Sequence, residues 1–188
     1  MTDVDIMDKD KVKIVLFNKP YGVLTQFTDK VGRKTLADYI PIKEIYPAGR
    51  LDKDSEGLVV LTNDGQLQHQ IANPKFKLEK TYWVQVEGKP DQAVMNRLQL
   101  GVTLKDGKTK PAKAKIIHSP KIWDRNPPIR HRENIPTTWL EIKVTEGKNR
   151  IIRRMTAAVG YPTLRLVRVA VGNWSLNDLA SGQWREIK

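Results

Sequence analysis

The chain has 188 residues, the size of one domain or of one domain and part of another, which excludes a long multidomain protein. Hydrophobic residues form 39% and charged residues 29% of it, enough apolar material for a core beneath a charged surface, so wholesale disorder is excluded. Cysteine is absent, and the three histidines lack metal-ligand spacing. We therefore expect no disulfide, no metal and no cofactor.

The charge distribution indicates the class of partner. The formal net charge is +12; residues 1–94 hold 14 basic and 14 acidic side chains, whereas residues 95–188 hold 19 basic and 7 acidic ones. Such an excess points to a polyanion, and an anionic membrane would favour an amphipathic basic helix over this dispersed pattern. The N-terminus is acidic and no apolar run reaches the roughly 20 residues of a membrane helix. We expect a cytoplasmic, monomeric, nucleic-acid-binding protein.

Apolar and β-branched runs predict strands, and apolar residues at helical spacing predict helices. The first half contains a predicted strand at 12–17, helix at 35–40, strand at 57–61, helix at 66–72, strand at 81–87 and helix at 91–100. The second half begins with strands at 102–104 and 110–118, joined in a hairpin at Asp106-Gly107, and continues with a proline-rich loop at 119–136. It ends with a strand at 138–145, a helix at 148–159 and strands at 164–171 and 184–187. This order predicts an α+β fold, with a mostly antiparallel mixed sheet and flanking helices.

A charged loop directly before the strand at 57–61 carries three candidate carboxylates, Asp52, Asp54 and Glu56. A loop that enters a buried strand is a rigid place for a catalytic side chain at the edge of a cleft. An acidic surface turn has the same pattern, and spacing does not choose among the three carboxylates. The residues alone therefore leave the reactive group open.

Three segments of the chain carry a family resemblance. They read GRLDKDSEGLVVLTNDG at 49–65, EKTYWVQV at 79–86 and EGKNRIIRRM at 146–155. Together with the residues near 164–186, they resemble the signature of the ribosomal RNA pseudouridine synthases of the RsuA type, over nearly the whole chain from residue 14 to residue 187. The resemblance implies the pseudouridine synthase catalytic fold with a central RNA-binding cleft.

The resemblance also implies a domain organisation. We expect one catalytic domain over residues 1–188, with a flexible tail at 1–11 and without the N-terminal RNA-binding module of many relatives. The chain is most similar to the short branch of the family, which acts on large-subunit (23S) ribosomal RNA. The implied substrate is therefore a specific uridine in that RNA, in free RNA or in an assembling particle.

The family's functional residues map onto named positions of this chain. Asp52 corresponds to the nucleophile, Tyr82 to the active-site tyrosine and Arg153 to the arginine that pairs with the aspartate. Leu166 corresponds to the leucine that packs against the target nucleotide, and Arg50 precedes the motif's leucine. From the residues alone, Tyr82 on an alternating strand is also typical of a core residue, and Arg153 of a solvated basic helix face.

Further basic residues are candidates for RNA contacts. Lys148, Arg150 and Arg154 lie on or near the helix of the third motif, and Arg50 can stack where a flipped uracil was. Lys113 and Lys115 share a strand face and, with the loop at 119–136 and its Trp123, would extend the RNA track.

The implied reaction detaches uracil from its ribose, turns the base and rejoins it through carbon. A carboxylate can start this chemistry without a metal, and a tyrosine can relay a proton. Two other hypotheses remain open: a non-catalytic basic RNA-binding module in which Asp52 is a turn residue, and a magnesium-dependent nuclease that uses Asp52, Asp54 and Glu56.

Overall fold

A computed structural model describes residues 11–187, so that nearly all of the predicted tail at 1–11 lies outside the described residues. The strands are β1 (Ile14–Lys19), β2 (Tyr46–Pro47), β3 (Glu56–Thr62), β4 (Lys80–Glu87), β5 (Thr103–Leu104), β6 (Gly107–Lys108), β7 (Lys113–Ile117), β8 (Thr137–Val144), β9 (Thr163–Val171), β10 (Trp174–Ser175) and β11 (Trp184–Ile187). The helices are α1 (Gly65–Ala72), α2 (Gln92–Leu100) and α3 (Ile151–Ala158), with 3₁₀ turns at Leu36–Asp38 and Pro74–Phe76.

Nine of these strands form a single sheet in the order β11-β1-β3-β9-β4-β8-β7, with β2 beside β3 and β10 beside β9. The pairing of β3 with β9 is parallel. All other pairs of named strands in residues 11–187 are antiparallel. The predicted α+β fold with a mostly antiparallel mixed sheet is therefore confirmed.

Strand β4 alternates between two environments, as its sequence predicts. Tyr82, Val84 and Val86 are buried on one face, in a core that also includes Met95 of α2 and Met155 of α3. The intervening residues of β4 face the opposite side of the sheet, because successive side chains of a strand alternate. Helices α2 and α3 therefore cover the face of the sheet that bears Tyr82.

Strand β3 is buried on both faces, which explains its continuous apolar run. Leu58 and Val60 belong to a cluster with Val167 of β9, whereas Val59 and Leu61 pack in a second cluster. This burial gives the loop that precedes β3 a rigid support.

The contact between β3 and β9 requires a glycine. Gly57 has a φ of +111°, and a Cβ atom there would lie 2.2 Å from the carbonyl oxygen of Arg168. Only glycine tolerates both the conformation and the close approach. The contact brings the loop at 49–55 next to β9 and β4.

Three predicted elements differ from the observed ones. The turn at Asp106-Gly107 joins β5 to the short strand β6 in a separate two-stranded sheet, while β7 pairs with β8 in the main sheet. The predicted helix at 35–40 is a 3₁₀ turn capped by Thr35. Helix α3 begins at Ile151 rather than at residue 148, because Arg150 adopts a left-handed conformation with a φ of +53°.

Candidate active site

A cleft of about 360 Å³ opens on the face of the sheet that bears Tyr82, a volume within the range of small-ligand pockets. Its walls are the loop at 48–55, the end of α1 and the segment at 146–152. Its floor includes Lys80 and Tyr82 of β4 and Leu166, Arg168 and Val171 of β9. The three motif segments, which are distant in the sequence, therefore meet in one cleft.

Asp52 stands at the wall of this cleft and is paired with an arginine. Arg150 Nη1 donates to Asp52 Oδ2 over 3.1 Å and to Asp54 Oδ1 over 3.0 Å. Arg150 Nη2 donates to Asp54 Oδ2 over 2.8 Å. The hydrogen bonds from Arg150 lower the pKa of Asp54, with a smaller contribution from the charge of Arg153. One guanidinium thus binds two carboxylates, compensates one of their two negative charges and orients Asp52.

The structure pairs Arg153 differently from the sequence expectation. Arg153 Nη2 donates to the backbone carbonyl of Asp54 over 2.7 Å, and its Nε lies 3.7 Å from Asp54 Oδ2. Its side chain is largely buried, and this burial lowers the pKa of Arg153. Within residues 11–187 the ion pair with Asp52 is formed by Arg150, which directly precedes α3, whereas Arg153 lies in the first turn of that helix and contacts Asp54.

The backbone of the loop is supported from below by Lys19, which is fully buried. Its Nζ donates to the carbonyl oxygens of Pro20 and Val23, each over 2.8 Å, and of Lys53 over 3.4 Å. Burial lowers the pKa of Lys19 to about 7. Sequence analysis did not single out Lys19; its signal was a lysine at the end of a buried strand, directly before Pro20.

Two more polar side chains hold this loop. Arg168 Nε donates to the carbonyl of Leu58 over 2.9 Å, and its Nη1 donates to the carbonyl of Arg50 over 3.3 Å. The hydroxyl of Thr25 donates to the carbonyl of Leu51 and accepts from the amide of Leu51. Sequence reasoning missed both residues, because their partners are backbone atoms far away in the chain.

Six of the residues singled out from the sequence line the cleft: Arg50, Asp52, Tyr82, Lys148, Arg150 and Leu166. Tyr82 lies opposite Arg168 in the sheet, and Leu166 lies opposite Val84. Arg50 and Lys148 are exposed at the rim of the cleft. Lys80 lies on the floor of the cleft and was not singled out.

Three other candidates lie outside the cleft and have acidic partners. Arg154 pairs with Asp106 at 2.8 Å. Lys113 and Lys115 share a face of β7, as predicted, and pair with Glu79 at 3.1 Å and Glu141 at 3.6 Å. Strand β7 is at the edge of the sheet, beyond β8, so these lysines are separated from the cleft. Their contact with RNA stays a prediction.

The loop at 119–136 has no regular secondary structure, as predicted. The Trp123 indole nitrogen donates to Glu56 Oε1 over 2.8 Å, and the Trp123 carbonyl accepts from Arg165 Nη2 over 2.9 Å. Arg165 also forms a buried two-point pair with Glu56. Because Arg165 and Leu166 are consecutive in β9, they point to opposite faces. The structure therefore uses Trp123 as an anchor on the face away from the cleft.

This arrangement also bears on the nuclease hypothesis. Glu56 is bound to Arg165 and is buried, while Asp52 and Asp54 share Arg150, so the three carboxylates do not converge. Residues 11–187 contain no group of three or more acidic, histidine or cysteine side chains placed to hold a metal ion. In the same part of the chain, every helix is too short or too polar to span a membrane.

Comparison with known proteins agrees with the geometry of the cleft. The family of RNA pseudouridylate synthases matches residues 13–158. Proteins named ribosomal large subunit pseudouridine synthase E are similar to this chain: that of Vibrio parahaemolyticus is 60% identical, over 97% of this chain and 76% of the relative. That of Xanthomonas campestris is 54% identical, over 92% of this chain and 94% of the relative.

A solved structure supports the same assignment. A crystal structure of a pseudouridylate synthase superposes with a TM-score of 0.79 at 27% identity, over 95% of this chain and 71% of that chain. The chain therefore belongs to the family of RNA pseudouridine synthases.

Proposed function

We propose that the protein isomerises a specific uridine of large-subunit (23S) ribosomal RNA to pseudouridine. The observation that carries this proposal is the Asp52 carboxylate, held 3.1 Å from Arg150 at the wall of a cleft that Tyr82 and Leu166 line. The names of the similar Vibrio and Xanthomonas proteins support the choice of ribosomal RNA.

Asp52 is proposed as the group that starts the reaction. Its carboxylate promotes cleavage of the bond between uracil and ribose, a role that requires no metal. The Tyr82 hydroxyl relays a proton from the sugar once this bond has opened, because Tyr82 lies on the same cleft floor. Leu166 packs against the target nucleotide and excludes water from it.

The other cleft residues are proposed to hold the RNA. An enzyme that acts on a base must take it out of the helical stack, which costs a few kcal/mol. The exposed Arg50 fills the vacated space with its planar guanidinium. Lys148 and Arg150 at the rim bind phosphates. Arg153 has a positioning role, since its guanidinium donates a hydrogen bond to the backbone carbonyl of Asp54.

We further infer that residues 11–187 act as one catalytic unit. The support for this is the nine-stranded sheet, which joins the N-terminal strands to the C-terminal ones through β3 and β9. We expect a monomer that acts without a metal. We expect the enzyme in the bacterial cytoplasm, where ribosomal RNA is made.

The test is the incubation of the purified protein with unmodified 23S ribosomal RNA, followed by chemical detection of pseudouridine. We expect one modified position with the parent protein and none with Asp52→Asn, which keeps the size of the side chain but removes its charge. RNA affinity of this variant should stay within a few-fold of the parent. If the parent protein binds the RNA but forms no pseudouridine, the result would support a non-catalytic binding module instead. If Asp52→Asn is active and Asp54→Asn is inactive, the nucleophile is Asp54.

A further inference from the structure

We propose that Lys80 is a catalytic residue that stabilises the uracil anion while the base is detached from the ribose; this inference rests on the proposed function. Lys80 is the first residue of β4 and precedes Tyr82 by two positions. Side chains two positions apart on a strand point to the same face, so Lys80 stands beside Tyr82 on the cleft floor.

The ammonium group of Lys80 has no acidic partner in residues 11–187 within the 4.0 Å limit of an ion pair, in contrast to Lys113 and Lys115. Its surroundings are unfavourable to a cation: burial and the nearby charge of Arg168 lower the pKa of Lys80. A half-buried charge without a partner costs free energy that an incoming anion would recover. The cleft floor thus favours the binding of a negatively charged ligand group.

In the protein without RNA, the neighbouring cations already have partners. Arg150 binds Asp52 and Asp54, and Arg168 donates to the backbone carbonyls of Leu58 and Arg50. Lys80 Nζ lies close to the motif segment at 146–150, since a Cβ atom on Gly147 would be 3.8 Å from it. Lys80 is therefore the cation on the cleft floor that is available to the base.

The reaction creates an anion at this place. When the bond between C1′ and N1 breaks, its electron pair passes to the uracil ring, and the negative charge spreads over N1 and the two carbonyl oxygens. After the base has turned, C5 bonds to C1′, the C5 proton is lost and N1 gains a proton. The proton that Tyr82 took from the sugar returns to it, so that the net change is an isomerisation. A fixed cation stabilises charge that develops during a reaction more than it stabilises the neutral substrate.

The experiment compares Lys80→Gln with the parent in single-turnover reactions at saturating enzyme, on ribosomal RNA with uridine or 5-fluorouridine at the target position. Loss of the N-glycosidic bond is measured, and RNA affinity is determined separately. With uridine we expect a rate about 100-fold lower and an affinity within threefold of the parent. Because fluorine stabilises the departing uracil anion, the defect should shrink at least tenfold with 5-fluorouridine.

Two variants serve as controls. Lys80→Arg keeps the charge and should retain more of the rate than Lys80→Gln. Lys89→Gln removes an exposed lysine beyond the far end of β4 and should match the parent. Thermal unfolding of each variant separates a folding defect from a chemical one.

Three results would overturn the inference while leaving the proposed function intact. The first is a Lys80→Gln rate within threefold of the parent, and the second is an equal rate defect on both RNAs. The third is a loss confined to RNA affinity, which would indicate that Lys80 binds a phosphate. An inactive parent protein would contradict the proposed function itself. The two failures are therefore distinguishable.

Discussion

Arg150 Nη1 lies 3.1 Å from Oδ2 of Asp52 and also 3.0 Å from Oδ1 of Asp54. The second carboxylate holds the guanidinium through two hydrogen bonds, so that the first receives a cation in a defined orientation. Asp54 therefore acts on Asp52 through Arg150. Both pairs are partly exposed, and the RNA backbone can compete for the arginine when it binds.

Substitution of the two arginines should separate stability from catalysis. Arg153→Gln leaves the partly buried Asp54 carbonyl without its donor, and we expect the free energy of unfolding to fall by about 1–3 kcal/mol. Arg150→Gln removes a partly exposed ion pair and should change the free energy of unfolding by less than about 1 kcal/mol. The same substitution should lower the single-turnover rate at least tenfold. Denaturant unfolding and pseudouridine formation measure the two effects. The reverse pattern would restore Arg153 as the partner of Asp52.

Tyr82→Phe should distinguish a proton relay from a packing role. Phenylalanine keeps the ring in the core but has no hydroxyl, so the fold should be retained. If the hydroxyl relays a proton, the single-turnover rate should fall by roughly two to four orders of magnitude with RNA binding unchanged. Tyr161→Phe, which alters a tyrosine packed against the same core, is the matched control. A Tyr82→Phe rate within threefold of the parent would return Tyr82 to the core.

The buried Lys19 should make stability depend on pH. Burial is the main cause that lowers the pKa of Lys19 to about 7, and the charge of Arg168 also lowers this pKa. The nearby carboxylates of Glu56, Asp54 and Asp52 raise it by a smaller amount. In the unfolded chain the lysine keeps its proton up to its ordinary pKa of 10.5. Between these values the unfolded state binds more protons, so the contribution of Lys19 to stability rises with pH, by up to about 1.4 kcal/mol per pH unit.

The measurement is the difference in the free energy of unfolding between the parent and Lys19→Met from pH 7 to pH 10. Because both proteins share all other titrating groups, the slope of this difference reports Lys19. Lys53→Met, which removes the exposed lysine of the same loop, should show no such slope. If the difference in the free energy of unfolding between the parent and Lys19→Met does not change with pH, Lys19 stays charged in the folded protein.

The salt dependence of RNA binding tests whether the RNA extends to the edge strand β7. If phosphates displace Glu79 and Glu141 from Lys113 and Lys115, the double change to glutamine should flatten the log–log salt slope by about 0.7–1.4, or one to two contacts. The same double change at Lys75 and Lys77, exposed near α1, is the control. A larger effect of the control pair would place the RNA on the other side of the cleft.

Local patterns in the sequence determined most elements of this fold. Alternation on β4 placed Tyr82, Val84 and Val86 on one buried face. Asp91 caps α2 by accepting from the amide of Val94, and aspartate is a favoured residue at this position. Such features depend on residues that are close in the chain, where side-chain period and capping chemistry operate. The motif around Asp52 likewise identified the family before its geometry was known.

The partners of the charged groups were decided only by the tertiary structure. The close approach of β9 to Gly57 sets which arginines surround the loop at 49–55, and the left-handed Arg150 directs its guanidinium to Asp52 in place of Arg153. Trp123 is on the back of the sheet because Arg165 points there. An ion pair depends on distances of a few ångströms between segments up to 109 residues apart, and local propensity carries no information about such distances.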